Sequence, residues 1–498
     1  MSRRTRALAL AGTVLLASCD LAPTYETPAK NLPIVPASYR EAGPWQPATP
    51  ADRLPRGPWW TLYHDATLNT LETRLIAANP DLAAAVATYN SFQDNALELN
   101  ANLFPFVLAG ASSTRNHESA ERPLRTAPQP TNYNAHTLQA GLRYEVDLWD
   151  QLHNEVTSGV ALAQASAADL ANAQLSLEAS LANAYLTLRE LDNDIKLLTD
   201  TVAAYQRYLQ IVRQRHEGEI ASGLEVSQAA YQLEAAQAQE SGLRAQRAVY
   251  EHMIAALVGQ SASAFSIPVQ PTKLTVPVIP TGVPSDLLQR RPDIAAAERR
   301  VASENALIGV ARAAFYPTLD INLLGGFQSS ESPALLSVPF RFWTIGPSAA
   351  MPLFEGGLLR AQLAQTVAQW QQAGENYRAI VLAAFQDVED ALSNVNYLTQ
   401  QDQQQQAAVR DAVRTQDLAF DLYQGGAVNY LEVIVDQTAA LEAQVSEIGL
   451  QEATLQASVA LIRALGGGWS TDRLPDRGDV LTLTAMDPHT KLPPAPAP

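Results

Sequence analysis

Residues 177–212 place apolar side chains at Leu177, Leu181, Ala184, Leu188, Leu191, Ile195, Leu198, Val202, Tyr205, Leu209 and Val212, in alternating steps of four and three. A sustained 3.5-residue repeat is the packing seam of a supercoiled helix. No Pro or Gly falls between residues 160 and 217, so a single helix there reaches about 85 Å at roughly 1.5 Å per residue. A compact domain cannot house such a rod. A second run, 358–424, interrupted only by Gly374, keeps similar spacing through Tyr377, Val381, Ala384, Val388, Ala391, Val395 and Leu398. Two rods of this length in 498 residues argue for one elongated body rather than two or three ordinary domains.

The rods belong to a duplicated programme. Pro80 matches Pro292 and Pro105 matches Pro317 at a spacing of 212, and Leu224-Glu225-Val226 recurs as Leu431-Glu432-Val433 at a spacing of 207. Two structural repeats follow, 59–259 and 284–468, separated by a Pro-marked connector at 260–283. Each repeat reads as helix, two strands, long helix and return helix. In the first, helical spacing breaks at Asn79-Pro80 and resumes over 82–103. The period then changes to two. One strand runs from Phe104-Pro105 to about Ser113. The next sets Leu138, Ala140, Leu142, Tyr144, Val146 and Leu148 against Gln139, Gly141, Arg143, Glu145 and Asp147, with a polar loop at 115–136 between them. The second repeat supplies a helix over 293–314, a strand with Leu319, Ile321 and Leu323, and a strand with Trp343, Ile345, Pro347, Ala349, Met351 and Leu353 on one face. Residues 469–498 are expected to form an equatorial segment and a disordered Pro/Ala-rich tail.

At the N-terminus, Arg3, Arg4 and Arg6 precede an apolar stretch over 7–17 that is too short to span a bilayer, followed by Leu16-Ala17-Ser18-Cys19. Residues 1–18 read as an export signal resembling that of bacterial lipoproteins. The resemblance makes Cys19 the lipidation site, carrying diacylglycerol and palmitoyl chains. Cys19 is the only cysteine, so no disulfide forms within the chain. Asp20, directly after it, is a residue that retains lipoproteins at the inner membrane in some bacteria. Residues 19–58, with Pro recurring at nine positions, read as an extended strap able to reach on the order of 100 Å. The net charge of −17 speaks against nucleic acid as a partner.

The strands have about the ten residues that a tilted transmembrane strand needs. A membrane does not tolerate an open sheet edge, and four strands cannot close a barrel. Strands pooled between copies solve both problems: two chains give eight and three give twelve, and only twelve leaves an open lumen. The plain alternative is a soluble β-subdomain. Tyr144, Trp149, Phe342 and Trp343 are candidates for an interfacial aromatic belt.

Several motifs together carry a family resemblance over nearly all of the mature chain. They are Trp59-Trp60 with Asp65, Asn79-Pro80-Asp81-Leu82, Arg291-Pro292-Asp293-Ile294 with Ala297-Glu298, Phe315-Tyr316-Pro317, Pro352-Leu353-Phe354-Glu355-Gly356-Gly357, Asp387-Val388-Glu389-Asp390-Ala391-Leu392 and Leu465-Gly466-Gly467-Gly468-Trp469. The set resembles that of TolC-like outer-membrane efflux lipoproteins, of the type that serves resistance-nodulation-division (RND) pumps. The resemblance implies an α+β membrane protein: a homotrimer with a twelve-stranded barrel in the outer membrane, four strands per chain, and a long α-helical coiled-coil tunnel through the periplasm. It also implies docking to a periplasmic adaptor protein and an RND-type inner-membrane pump.

By the same resemblance, the turns between long and return helices meet the adaptor through Gly218, Ser222, Gly223, Leu224, Gly425, Gly426, Asn429 and Leu431. Read from the residues alone, they are ordinary helix–turn–helix corners. Asp417 and Asp421, one helical turn apart with Phe420 beside them, are either a solvated pair or, repeated by threefold symmetry, acidic rings that narrow the channel. The polar run 401–406 reads as a solvated face. No catalytic constellation, cofactor motif or metal-ligand spacing appears among the seven histidines. The expected function is a passive exit duct for efflux; a type I secretion channel and a non-pore coiled-coil scaffold are the alternatives.

Overall fold

The computed structural model describes residues 19–27, 38–41, 57–119, 121, 130–279, 286–331 and 335–482. The signal segment 1–18, most of the strap, the end of the connector and the tail from 483 lie outside the described residues. The first repeat contains α1 (Ala66–Ala78), α2 (Pro80–Ala101), β1 (Phe106–His117), β2 (Asn132–Glu145), α3 (Gln151–Glu217) and α4 (Gly223–Leu257). The second contains α5 (Pro292–Ala313), β3 (Thr318–Ser329), β4 (Arg341–Ala350), α6 (Leu358–Gln424) and α7 (Tyr430–Ala464). The duplication is visible in the lengths: α3 and α6 both have 67 residues, α4 and α7 both 35, and α2 and α5 both 22. A 67-residue helix is about 100 Å long. Among the described residues no helix is long and apolar enough to cross a membrane.

The heptad positions form the seam. From Leu181 to Val212 every apolar residue of the repeat is buried, and Leu177 is half-buried. Their partners change along the rod. Val156, Val160 and Ala163 of α3 pack on Ala96 of α2, while Val202 and Tyr205 pack on Ala236 of α4. At the far end, Leu209 and Val212 join Ala229, Tyr423, Tyr430 and Val433, so both helical hairpins share one core there. The helix is longer than either partner because two shorter helices, α2 and α4, stack end to end beside it.

The two Pro motifs build those end-to-end joints. The Asn79 side chain accepts from Leu82 N at 2.9 Å, capping α2, and donates from Nδ2 to Leu257 O at 2.8 Å, closing the last turn of α4. Two helix dipoles thus meet head to tail across one amide. Gly259 has φ +70, and an added Cβ would lie 2.3 Å from Ala78 O. In the second repeat Arg291 Nη1 donates to Ala464 O at 3.3 Å, and Gly466, at φ +88, leaves no room for a Cβ against Arg290 O. Asn79→Ala removes both bonds and is expected to lower stability by about 1–2 kcal/mol, read as a lower thermal unfolding midpoint; Asn79→Asp, which keeps only the cap, is expected to fall between.

The four strands form one antiparallel sheet in the order β1-β2-β3-β4. The polar loop expected at 115–136 is shorter than its composition suggests. Pairing continues to His117↔Asn132, where Ser113 Oγ meets His136 Nδ1 at 2.9 Å and His117 Nδ1 meets Asn132 Oδ1 at 2.8 Å. Polar residues there serve as cross-strand pairs. At the other end β2 stops at Glu145 and β4 at Ala350, short of Leu148 and Leu353, as the chain turns toward the helices.

The largest apolar cluster girdles the middle of the rods, where Trp59, Trp60, Tyr63, Leu68, Leu71 and Leu75 pack on Leu175 to Leu188 of α3 and on Leu455 to Ile462 of α7. The connector is held to this girdle. Buried Asp192 accepts from Arg189 Nη1 at 3.0 Å, Arg247 Nε at 2.6 Å and Gln270 N at 3.0 Å, while the two arginines reach Pro268 O and Ile267 O. Residues 469–482 do not stay at the girdle: Val480 packs among Ala96, Val156, Val160 and Ala163, nearer the sheet.

Candidate functional site

The sheet has two chemically distinct faces. Tyr144, Leu142 and Ala140 lie in register with Ile321, Leu323 and Gly325 and then with Pro347, Ile345 and Trp343, which makes one continuous apolar face. The opposite face carries Arg143 beside Asn322, and Glu145 beside Asp320 and Ser348, with an Arg143–Asp320 ion pair at 3.3 Å. None of the hydrophobic clusters among the described residues contains a strand residue. Ile321, Leu323, Trp343 and Ile345 are exposed. A soluble sheet would bury this face against helices. Of the candidate belt residues, Trp343 and Tyr144 sit on the apolar face and Phe342 on the opposite one. Trp149 is held in the sheet–helix joint, donating to Pro317 O at 2.8 Å and stacking on Tyr316 at 4.7 Å.

At the other end of the body, the two turns lie side by side. Gly218, Ser222, Gly223 and Leu224 are exposed in the first, and Gly425, Gly426, Asn429 and Leu431 in the second. Ser222 and Glu225 form a capping box at the start of α4, and Asn429 caps α7 through Glu432 N. Three contacts tie the hairpins together. The Tyr423 hydroxyl donates to Glu225 Oε2 at 2.8 Å, Arg215 Nη1 donates to Gln424 O at 3.1 Å, and the Arg215 guanidinium lies 4.7 Å from the Tyr423 ring centre. Partial burial raises the Glu225 carboxyl, but hydrogen bonds from Ser222 and Tyr423 and the nearby Arg215 outweigh it and hold the group below its usual value. The Tyr423 phenol is pushed up to about 12 by burial and by its acceptor Glu225. Asp417 and Asp421 are both exposed on α6. Phe420 is not on their face: it turns inward and stacks on Tyr208 of α3 at 4.2 Å.

The described parts of the strap occupy a built seat that sequence reading missed. Cys19 N donates to Leu148 O at 3.1 Å and leaves the Cys19 residue exposed at the sheet–helix joint. Asp20 accepts from Asn154 Nδ2 at 3.0 Å, Asn305 Nδ2 donates to Pro23 O at 2.7 Å, and the Tyr25 hydroxyl bonds to the Glu298 carboxylate. Farther along, the Glu389 carboxylate accepts from the consecutive amides of Arg40 and Glu41 at 2.9 and 3.0 Å. The acidic residues of two sequence motifs, Glu298 and Glu389, are thus strap clasps. Nothing in local composition marks a carboxylate that binds a segment some 350 positions away.

Asp147, Asp150 and His153 bring ligand atoms within 4.8 Å of one another. Asp147 Oδ2 accepts from His153 N at 2.9 Å and from its Nδ1 at 2.8 Å, which is the arrangement of a helix N-terminal cap on α3.

Comparison with known proteins agrees with this architecture. Residues 71–260 and 283–467, the two repeats, match the family model described as outer membrane efflux protein. The chain is 32% identical over 421 residues to the pyoverdine export outer membrane protein OpmQ of Pseudomonas aeruginosa, covering 83% of this chain and 88% of that protein. It is 30% identical over 465 residues to the toluene efflux pump outer membrane protein TtgC of Pseudomonas putida, covering 93% and 95%. The crystal structure of the outer membrane protein VceC from Vibrio cholerae superposes with a TM-score of 0.77 at 27% identity, covering 82% of this chain and 98% of that one. With both repeats matched and the helical body and sheet shared, the chain belongs to the outer membrane efflux protein family.

Proposed function

We propose that three copies of this chain pool their strands into a twelve-stranded barrel in the outer membrane and their helices into a tunnel through the periplasm, and that the tunnel conducts small molecules delivered by an RND-type inner-membrane pump through a periplasmic adaptor. One observation carries this reading: among the described residues the sheet has an uncovered apolar face, a polar face and two unpaired edges, a combination that closure with other copies inside a lipid bilayer would satisfy. Acyl chains on Cys19 would enter the inner leaflet beside the barrel, since Cys19 is exposed where the sheet meets the helices. The adaptor would meet the exposed Gly-rich turns at 218–224 and 425–431. Deleting the protein is expected to raise cellular accumulation of at least one member of a panel of dyes, antibiotics and metals; unchanged accumulation of all of them counts against efflux.

Near the tips, three copies of exposed Asp417 and Asp421 would make acidic rings that draw cations and narrow the lumen. The double change Asp417→Ala, Asp421→Ala is expected to raise closed-channel conductance and weaken block by divalent cations. If both stay at wild-type values, the rings are not the constriction. Phe420, stacked on Tyr208, supports the wall rather than the opening.

A further inference from the structure

At the helix-side end of the sheet, large apolar side chains at both edges are uncovered among the described residues. At the β1 edge Phe104 and Phe106 are 63% and 67% exposed, with Phe106 in the Arg143 row of the polar face. At the β4 edge the turn that follows the strand presents Met351, Leu353 and Phe354 at 51%, 89% and 91%. This turn closes through Gly356 and Gly357, at φ +65 and +92, with open space around both. Two successive left-handed residues suit glycine alone, and Leu353 and Phe354 just before them are almost fully exposed. Solvent exposure of two large adjacent side chains near a membrane boundary calls for a partner surface.

The strand register indicates which surface. Phe106 lies in one row with Arg143, Asn322 and Gly346, while β4 continues four residues further, to Ala350. The helix-side border of the sheet therefore steps down from β1 to β4. In a closed barrel the step continues from copy to copy, so the neighbour's β1 begins level with the residues just past Ala350. We propose that Leu353 and Phe354 of each copy pack on Phe104 and Phe106 of the next, forming a head-to-tail apolar lock at the base of the barrel. The contact is heterologous and closes by rotation, so each copy gives one knob and receives one. The inference rests on the threefold assembly and adds to it the side chains that hold the seam below the last strand pair.

Because Cys19 is the only native cysteine, engineered pairs report cleanly. The test is oxidative cross-linking of the full-length protein in isolated outer membranes, with Phe354→Cys plus Phe104→Cys and, separately, Leu353→Cys plus Phe106→Cys; the single substitutions are controls. Covalent dimers and trimers are expected from at least one double variant and from none of the singles. Native mass measurement of the same samples separates the two ideas. Three copies without a cross-link from either pair overturn the lock and leave the assembly standing, whereas a single-copy mass overturns both. A fluorophore on Phe354→Cys that is strongly quenched by brominated lipid in reconstituted vesicles, without cross-linking, would place the turn in lipid and overturn the lock as well.

Discussion

Glu72→Gln is expected to stabilise the protein at neutral pH. Glu72 lies on α1, fully buried in the apolar girdle, and neither carboxylate oxygen has a hydrogen-bond partner among the described residues. Burial, with a smaller contribution from nearby Glu178, pushes its pKa from 4.5 to about 10. The folded protein therefore keeps a proton that the unfolded chain releases above about pH 4.5. A carboxyl with a raised folded-state pKa lowers stability progressively as pH climbs from the unfolded value to the folded one. At pH 7 that loss is about 3 kcal/mol. Glutamine has the shape of the protonated acid and nothing to ionise, so the variant escapes the loss. Its thermal unfolding midpoint should exceed that of the wild type at pH 7, and the two should converge near pH 4.5. An equal difference at both pH values would assign the effect to packing instead of proton linkage.

The second large effect is expected at the tips. Tyr423 and Arg215 join the α3–α4 hairpin to the α6–α7 hairpin through hydrogen bonds to Glu225 and to Gln424 O. The first has a charged acceptor and the second a charged donor, and such bonds contribute about 1.5–3 kcal/mol each when their partners are shielded. The Tyr423–Glu225 bond is only partly buried and the Arg215–Gln424 bond is exposed, which argues for the lower end. Tyr423→Phe with Arg215→Ala is expected to shift a closed–open equilibrium by about 2–3 kcal/mol, roughly 30-fold to 150-fold in population. Single-channel recording reads this as a rise in open probability at unchanged unit conductance. The pair matters more than Asp417 and Asp421 for holding the hairpins together, because those carboxylates are exposed and, among the described residues, form no hydrogen bond or ion pair across the hairpins.

Much of the architecture is legible in the chain because the helical body is governed by local rules. A 3.5-residue apolar seam without Pro or Gly specifies a rod, and the break at Gly425-Gly426 ends α6 where it was expected, after Gln424. The duplicated spacing of Pro80 and Pro292 marks the stacked-helix joints, although the physical role of Asn79 and Arg291 at those joints became visible only with the return helices in place. Composition was a weaker guide in the sheet. Thr, Asn and His around 115–136 look like loop residues, yet at strand tips they satisfy one another across the ladder. The strap clasps at Glu298 and Glu389 were not legible at all, since each is a contact between segments hundreds of residues apart. Phe420 shows the same gap on a smaller scale. Sequence spacing puts it next to Asp417 and Asp421, but a helix turns about 100° per residue, and Tyr208 claims its ring.

The most direct measurement is planar-bilayer recording of the purified full-length protein and of its Tyr423→Phe, Arg215→Ala variant. Discrete, long-lived current steps are expected from both, with the variant open for a larger share of the time. Membranes that stay silent with both proteins, while native mass measurement confirms folded trimers, would contradict a conducting tunnel and return the long helices to a scaffold.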